Sequence, residues 1–91
     1  MKTPEERLNE LGIRLPAPVT VPAGLHLPFS FVNVKGERVF ISGHPRHSHE
    51  GKIDGPYGRV GQDLTMEEAN VAAKEIAISV LSNLKREIGE L

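Results

Sequence analysis

The residues best suited to chemistry lie together in the run Ser42-Gly43-His44. Serine brings a hydroxyl that both donates and accepts hydrogen bonds. Histidine brings an imidazole whose ordinary pKa, near ~6.5, lets it take or give a proton close to neutrality. Gly43 has no Cβ, so backbone or a ligand can come close to the chain there. On an extended strand the side chains of Ser42 and His44 point to the same side, which allows a hydrogen bond between them. There is no G-x-S-x-G elbow around Ser42 and no cysteine anywhere, so the usual settings for a nucleophilic enzyme are missing. A histidine fixed at the end of a strand suits acid–base work, or the orienting of a ligand, better.

His44, His47 and His49, with Glu50, are also a candidate metal set. Imidazole and carboxylate together suit zinc, nickel or copper. Their spacing matches neither a helix face nor a strand face, and a flexible loop positions ligands poorly. The expectation is no metal and no organic cofactor, with these histidines solvated in a polar loop. The later run Gly58-Arg59-Val60-Gly61 is too short for a dinucleotide-binding loop and reads as a glycine turn ahead of a helix.

A strand must deliver this corner. Val39, Phe40 and Ile41 are β-favouring and apolar, and Arg38–Ile41 is the expected strand. An earlier strand is expected over Phe29-Ser30-Phe31-Val32-Asn33-Val34, with Phe29, Phe31 and Asn33 on one face. Lys35-Gly36-Glu37 joins the two as a hairpin with a loop of two or three residues. From His44 to Gln62 the chain carries four glycines, two prolines and three histidines and has no periodicity, the pattern of a long loop.

Thr65 with Glu68 forms a capping box that opens the one long helix, expected to run to Ile88 and to stop at Gly89. Ala69, Ala72, Ala73, Ile76, Ala77, Val80, Leu81 and Leu84 make one broad apolar face, suited to cover the sheet. Val71 and Ile78 fall on the opposite side, as scattered surface residues or as a second contact with a partner subunit. At the other end of the chain, Thr3-Pro4-Glu5-Glu6 is a helix start, Leu8 and Leu11 give that helix a small apolar face, and Gly12 ends it. Residues 13–28 hold Pro16, Pro18, Pro22 and Pro28, and read as an extended lead-in arm.

The chain has 91 residues, the size of one small domain. Lys and Arg number 11 against 12 Asp and Glu, for a net charge of −1. That balance argues against a nucleic-acid groove and against a polybasic membrane surface. No run approaches the ~20 apolar residues of a membrane span, and the acidic, polar start is not a signal peptide. The expectation is a soluble cytoplasmic protein with neither nucleic acid nor membrane as partner.

The corner, the run Gly58-Arg59-Val60-Gly61-Gln62-Asp63-Leu64-Thr65-Met66-Glu67-Glu68-Ala69, and the helix with Ala72-Ala73 and Leu81-Ser82-Asn83-Leu84-Lys85 resemble the YjgF/Rid family, in its endoribonuclease L-PSP-like branch. Glu5-Glu6-Arg7-Leu8-Asn9-Glu10-Leu11-Gly12-Ile13 and the proline arm resemble the same branch. The likeness spans residues 1–91 as a single domain that corresponds to the N-terminal half of the family's usual subunit.

The resemblance implies an α/β (α+β) chorismate-mutase-like half-fold: a short helix, a β-hairpin, a long loop and one long helix packed on the sheet. It implies a homotrimer with clefts between subunits, no metal or organic cofactor, and a small carboxylate or imine as ligand. It implies hydrolysis of reactive enamines and imines to 2-oxo acids and ammonia, or a non-catalytic ligand-binding or interaction module derived from that chemistry. An RNA-directed role, as some relatives are labelled, is disfavoured by the charge balance. By the same resemblance Ser42 and His44 take the catalytic positions, and Gly43, His26 and Arg46 the substrate-binding ones. The family's second βα half supplies an arginine that grips the substrate carboxylate. With that half absent from residues 1–91, the open hairpin edges are expected to be completed by another copy, a partner or a longer chain.

Overall fold

The computed structural model describes residues 2–19, 24, 30–53 and 55–91. Within them the element order is α1 (Pro4–Glu10), β1 (Val32–Lys35), β2 (Arg38–Ile41) and α2 (Met66–Ile88). This is a small α+β arrangement of a two-stranded antiparallel sheet and two helices.

The short helix α1 forms where the cap signals place it. The Thr3 hydroxyl accepts from the Glu6 N–H at 3.2 Å, and Pro4 occupies the first turn. The helix closes with a Schellman arrangement, in which Ile13 N–H donates to Leu8 O and Gly12 N–H to Asn9 O. Gly12 sits at φ 71°, a conformation that costs glycine little. The expected apolar face of α1 is only partly covered: Leu8 is half-buried, but Leu11 remains 72% exposed.

The hairpin pairs Val32 with Ile41, Asn33 with Phe40, Val34 with Val39 and Lys35 with Arg38. The joining turn is Gly36-Glu37, the shorter of the two expected loops. β1 begins at Val32, later than expected, and Phe29 lies outside the described residues. Because side chains alternate, Val32, Val34, Val39 and Ile41 share one face of the sheet and Asn33, Lys35, Arg38 and Phe40 the other.

In α2 the capping box is complete, with the Thr65 hydroxyl accepting from Glu68 N–H and the Glu68 carboxylate accepting from Thr65 N–H. The Thr65 N–H first, and then the Thr65 side chain, favour the charged carboxylate and hold the Glu68 carboxyl below its ordinary pKa. Gly89 at φ 91° ends the helix. Upstream, the Asp63 carboxylate accepts from Arg59 N–H at 2.9 Å, closing a tight knuckle. A Cβ on Gly58 would come within 2.5 Å of Asp63 Cβ, so the knuckle requires glycine there.

The packing of α2 corrects the expectation drawn from its apolar stripe. α2 lies against β1, and Val32 is the buried apolar residue of the core. Yet Ala73 and Ala77 are exposed, and Ile76, Val80, Leu81 and Leu84 are only half-buried. The residues of α2 that are buried outright are Ser79 and Ser82, on the opposite side of the helix. Two strands offer too little surface to cover a face of this breadth. Ser82 is covered by the proline arm, whose Pro16 O accepts from its hydroxyl, while the Ser79 hydroxyl donates to Glu75 O of its own helix at 3.1 Å.

Candidate functional site

The corner at the exit of β2 is pinned by backbone contacts. Ser42 N–H donates to Phe31 O at 2.9 Å, carrying the hairpin ladder past the end of β2. The Ser42 hydroxyl donates to Ser30 O at 2.7 Å. His44 Nδ1 lies 2.7 Å from Ser42 O. A carbonyl only accepts, so Nδ1 carries the proton and Nε2 the lone pair. The His44 ring rests against Phe31, with centroids 4.9 Å apart and planes tilted by 40°. His44 Nε2 is buried and has no hydrogen-bond partner.

Ser42 and His44 are thus brought to one bend, but each bonds backbone. Gly43 is exposed, and a Cβ there would meet nothing within 4 Å, so the close approach it permits is not used inside this chain. His26 lies outside the described residues.

Beyond the corner the loop is strapped to α2. Arg46 Nε donates to Glu75 Oε2 at 2.8 Å and Nη1 to Gly55 O at 3.3 Å. Arg46, a candidate substrate-binding residue, is thus engaged by the Glu75 carboxylate of α2.

His47, expected to be solvated, is 3% exposed, and neither ring nitrogen has a hydrogen-bond partner. Burial pushes its pKa below the ordinary histidine value, and the positive charges of Arg86 and Arg46 add to that direction. The Ala17 carbonyl opposes the shift without meeting hydrogen-bond geometry. The proline arm closes the other side. Pro16 O accepts from the Ser82 hydroxyl at 2.7 Å and from Arg86 Nη1 at 3.2 Å, and Ala17 N–H donates to His49 O at 2.8 Å.

A small cavity of about 50 Å³ lies at this junction, lined by Pro16, Arg46, His47, Ser48, His49, Glu75 and Ile78. It takes in Arg46 but not Ser42, Gly43 or His44. Ile78, read as a scattered surface residue, thus borders the strapped loop, while Val71 is 57% exposed. Among the described residues, no three of His, Asp and Glu converge as a metal set would. Among them, too, no helix is long and apolar enough to cross a membrane.

Comparison with family models, with curated proteins and with solved structures finds no match to this chain. The junction at His47 escaped the reading of the sequence, although it had a signal. Glu75, Ser79, Ser82 and Arg86 recur at helical spacing as a stripe of small and charged side chains. Small hydroxyls on such a stripe allow another segment of chain to approach closely.

Proposed function

We propose that the bend Ser42-Gly43-His44 forms one wall of a site for a small 2-imino or 2-enamino carboxylate, as the Rid resemblance implies, and that a neighbouring subunit of a homo-oligomer finishes the site. The reaction is hydrolysis: water adds through oxygen to the C=N carbon, the C–N bond breaks, and ammonia leaves behind a 2-oxo acid. The observation that carries this reading is His44 Nε2, a buried lone pair with no partner on a ring fixed by its other nitrogen. A buried, unsatisfied acceptor costs about 1–3 kcal/mol, a cost that a bound donor recovers. In this role Nε2 accepts the proton of the attacking water and returns it to the departing nitrogen. Gly43 leaves the space for the ligand, and Ser42 holds the bend to Ser30.

A binding module without turnover is the second reading. It is favoured by the engagement of Arg46 with Glu75 and of the Ser42 hydroxyl with Ser30 O. The test is release of ammonia and pyruvate from 2-iminopropionate by the purified chain, with and without free arginine, beside binding of propionate followed by amide shifts. Turnover that falls at least tenfold in His44→Gln supports the enzyme. Propionate binding at Gly43 without turnover supports the module. Neither turnover nor binding overturns both.

A further inference from the structure

Three segments meet around His47. The arm contributes Pro16 and the Ala17 carbonyl, the loop contributes His44, Arg46 and His49, and α2 contributes Glu75, Ser82 and Arg86. The bonds that hold them are few and directional: Ser82 and Arg86 to Pro16, Ala17 to His49, and Arg46 to Glu75. The His47 ring fills the space between them and bonds to none of them.

The groups that disfavour a proton on that ring come from the loop and from α2. Arg46 lies next to it in the chain, Arg86 reaches it from α2, and His44 acts on it from the loop. The carboxylate lining the same cavity, Glu75, is engaged by Arg46 Nε at 2.8 Å. His49, also at the cavity, bonds the arm through its backbone oxygen.

We propose that His47 is the pin of an acid-sensitive latch: its neutral ring lets the arm at Pro16-Ala17 and the 44–52 loop close on α2 at Glu75, Ser82 and Arg86, and its protonation releases both segments. A proton there puts a cation into a desolvated space beside Arg86 and Arg46, where the Ala17 carbonyl favours it but no acceptor meets hydrogen-bond geometry. Opening returns the ring to water and costs only a handful of hydrogen bonds.

The direction with pH follows by linkage. The closed form holds His47 below its ordinary pKa, so the open form binds more protons. The latch is therefore intact above the ordinary histidine range and loosens as pH falls through it. For one proton and an ordinary pKa near ~6.5, opening rises by up to about tenfold between roughly pH 7.5 and 5.5. This inference stands apart from the carboxylate site, since it requires no ligand at Ser42-Gly43-His44.

The experiment is amide hydrogen exchange at Ala17, whose N–H is bonded to the loop, with intrinsic rates corrected for pH. In the wild-type chain the opening constant is expected to rise about tenfold over that interval, and in His47→Gln to stay flat while His44→Gln and His49→Gln keep the rise. An opening constant that does not change with pH in the wild type, or the same rise in His47→Gln, overturns the latch. If His47→Gln does not fold, the His47 ring resonances of the wild-type chain decide. Titration in step with the loss of Ala17 protection supports the latch, and titration with Ala17 still protected overturns it.

Discussion

On the hairpin side of α2, Val32 is 6% exposed, while Val34, Val39 and Ile41 on the same sheet face are left 40–46% exposed. On the arm side, Ser82, whose hydroxyl bonds Pro16 O, is buried to within 1% of completely, although it is not hydrophobic. The apolar contact is broad and loosely closed; the polar one is narrow and tight. Apolar burial contributes in proportion to area, roughly 25 cal/mol per Å², and a two-stranded ribbon has little area to offer. A hydroxyl-to-carbonyl bond contributes only about 1 kcal/mol, but it acts at one distance and one angle, and it fixes where the arm lies. Close packing in this chain therefore follows directional bonds between small groups more than it follows hydropathy.

The largest expected effect tests the hairpin side. Val32→Ala removes the buried apolar side chain at the contact between β1 and α2 and should lower unfolding stability by about 2 kcal/mol, read from the urea midpoint at unchanged slope. A loss below about 0.5 kcal/mol would mean that the hairpin does not anchor α2, and the contrast between the two sides would collapse.

That contrast also explains what the sequence made readable. Thr3, Thr65, Glu68 and Gly89 act through their immediate neighbours, so the helix ends could be placed from local spacing. The second strand, Arg38–Ile41, and its hairpin were legible for the same reason, since alternation and a glycine turn are short-range signals. The buried side of α2 was not. A stripe of alanine and aliphatic residues predicts that the stripe faces a core, but it cannot say whether the chain supplies enough surface to cover it. Ala73 and Ala77 stay open where the described residues form a sheet of two strands, β1 and β2.

The surroundings of His47 were hidden for a related reason. Nothing local marks which of His44, His47 and His49 the arm will cover, because the contact joins positions as distant as Pro16 and Ser82. At the corner, the residues were legible and their bonds were not. Ser42 and His44 do share one bend, but the backbone oxygens of Ser30 and Ser42 engage the Ser42 hydroxyl and His44 Nδ1 and leave Nε2 without a partner.

A smaller effect tests the arm side. Ser82→Ala deletes the hydroxyl that donates to Pro16 O at 2.7 Å and leaves that carbonyl to Arg86. The expected global loss is about 1 kcal/mol, with protection at Ala17 lost before protection in α2. If Ser82→Ala costs as much as Val32→Ala, and Ala17 and α2 open together, the arm is part of the cooperative core and not a separately opening strap.

The smallest effect is expected at Phe40. Its ring is 54% exposed on the sheet face opposite Val32, paired with Asn33 and neighbouring the cation pair Lys35 and Arg38 on the same face. In the single chain Phe40→Ser therefore removes little burial, and the stability change should stay within about 0.5 kcal/mol at every protein concentration. A second copy resting on that face would make the loss larger and would make it grow with concentration, because association stabilises the folded state by mass action. Denaturant unfolding of Phe40→Ser and wild type, each at dilute and at high concentration, separates the outcomes. A concentration-dependent loss exceeding that of Ser82→Ala would reverse the order of the two sides, since the loosely closed hairpin would then be the more heavily covered one in the assembled protein.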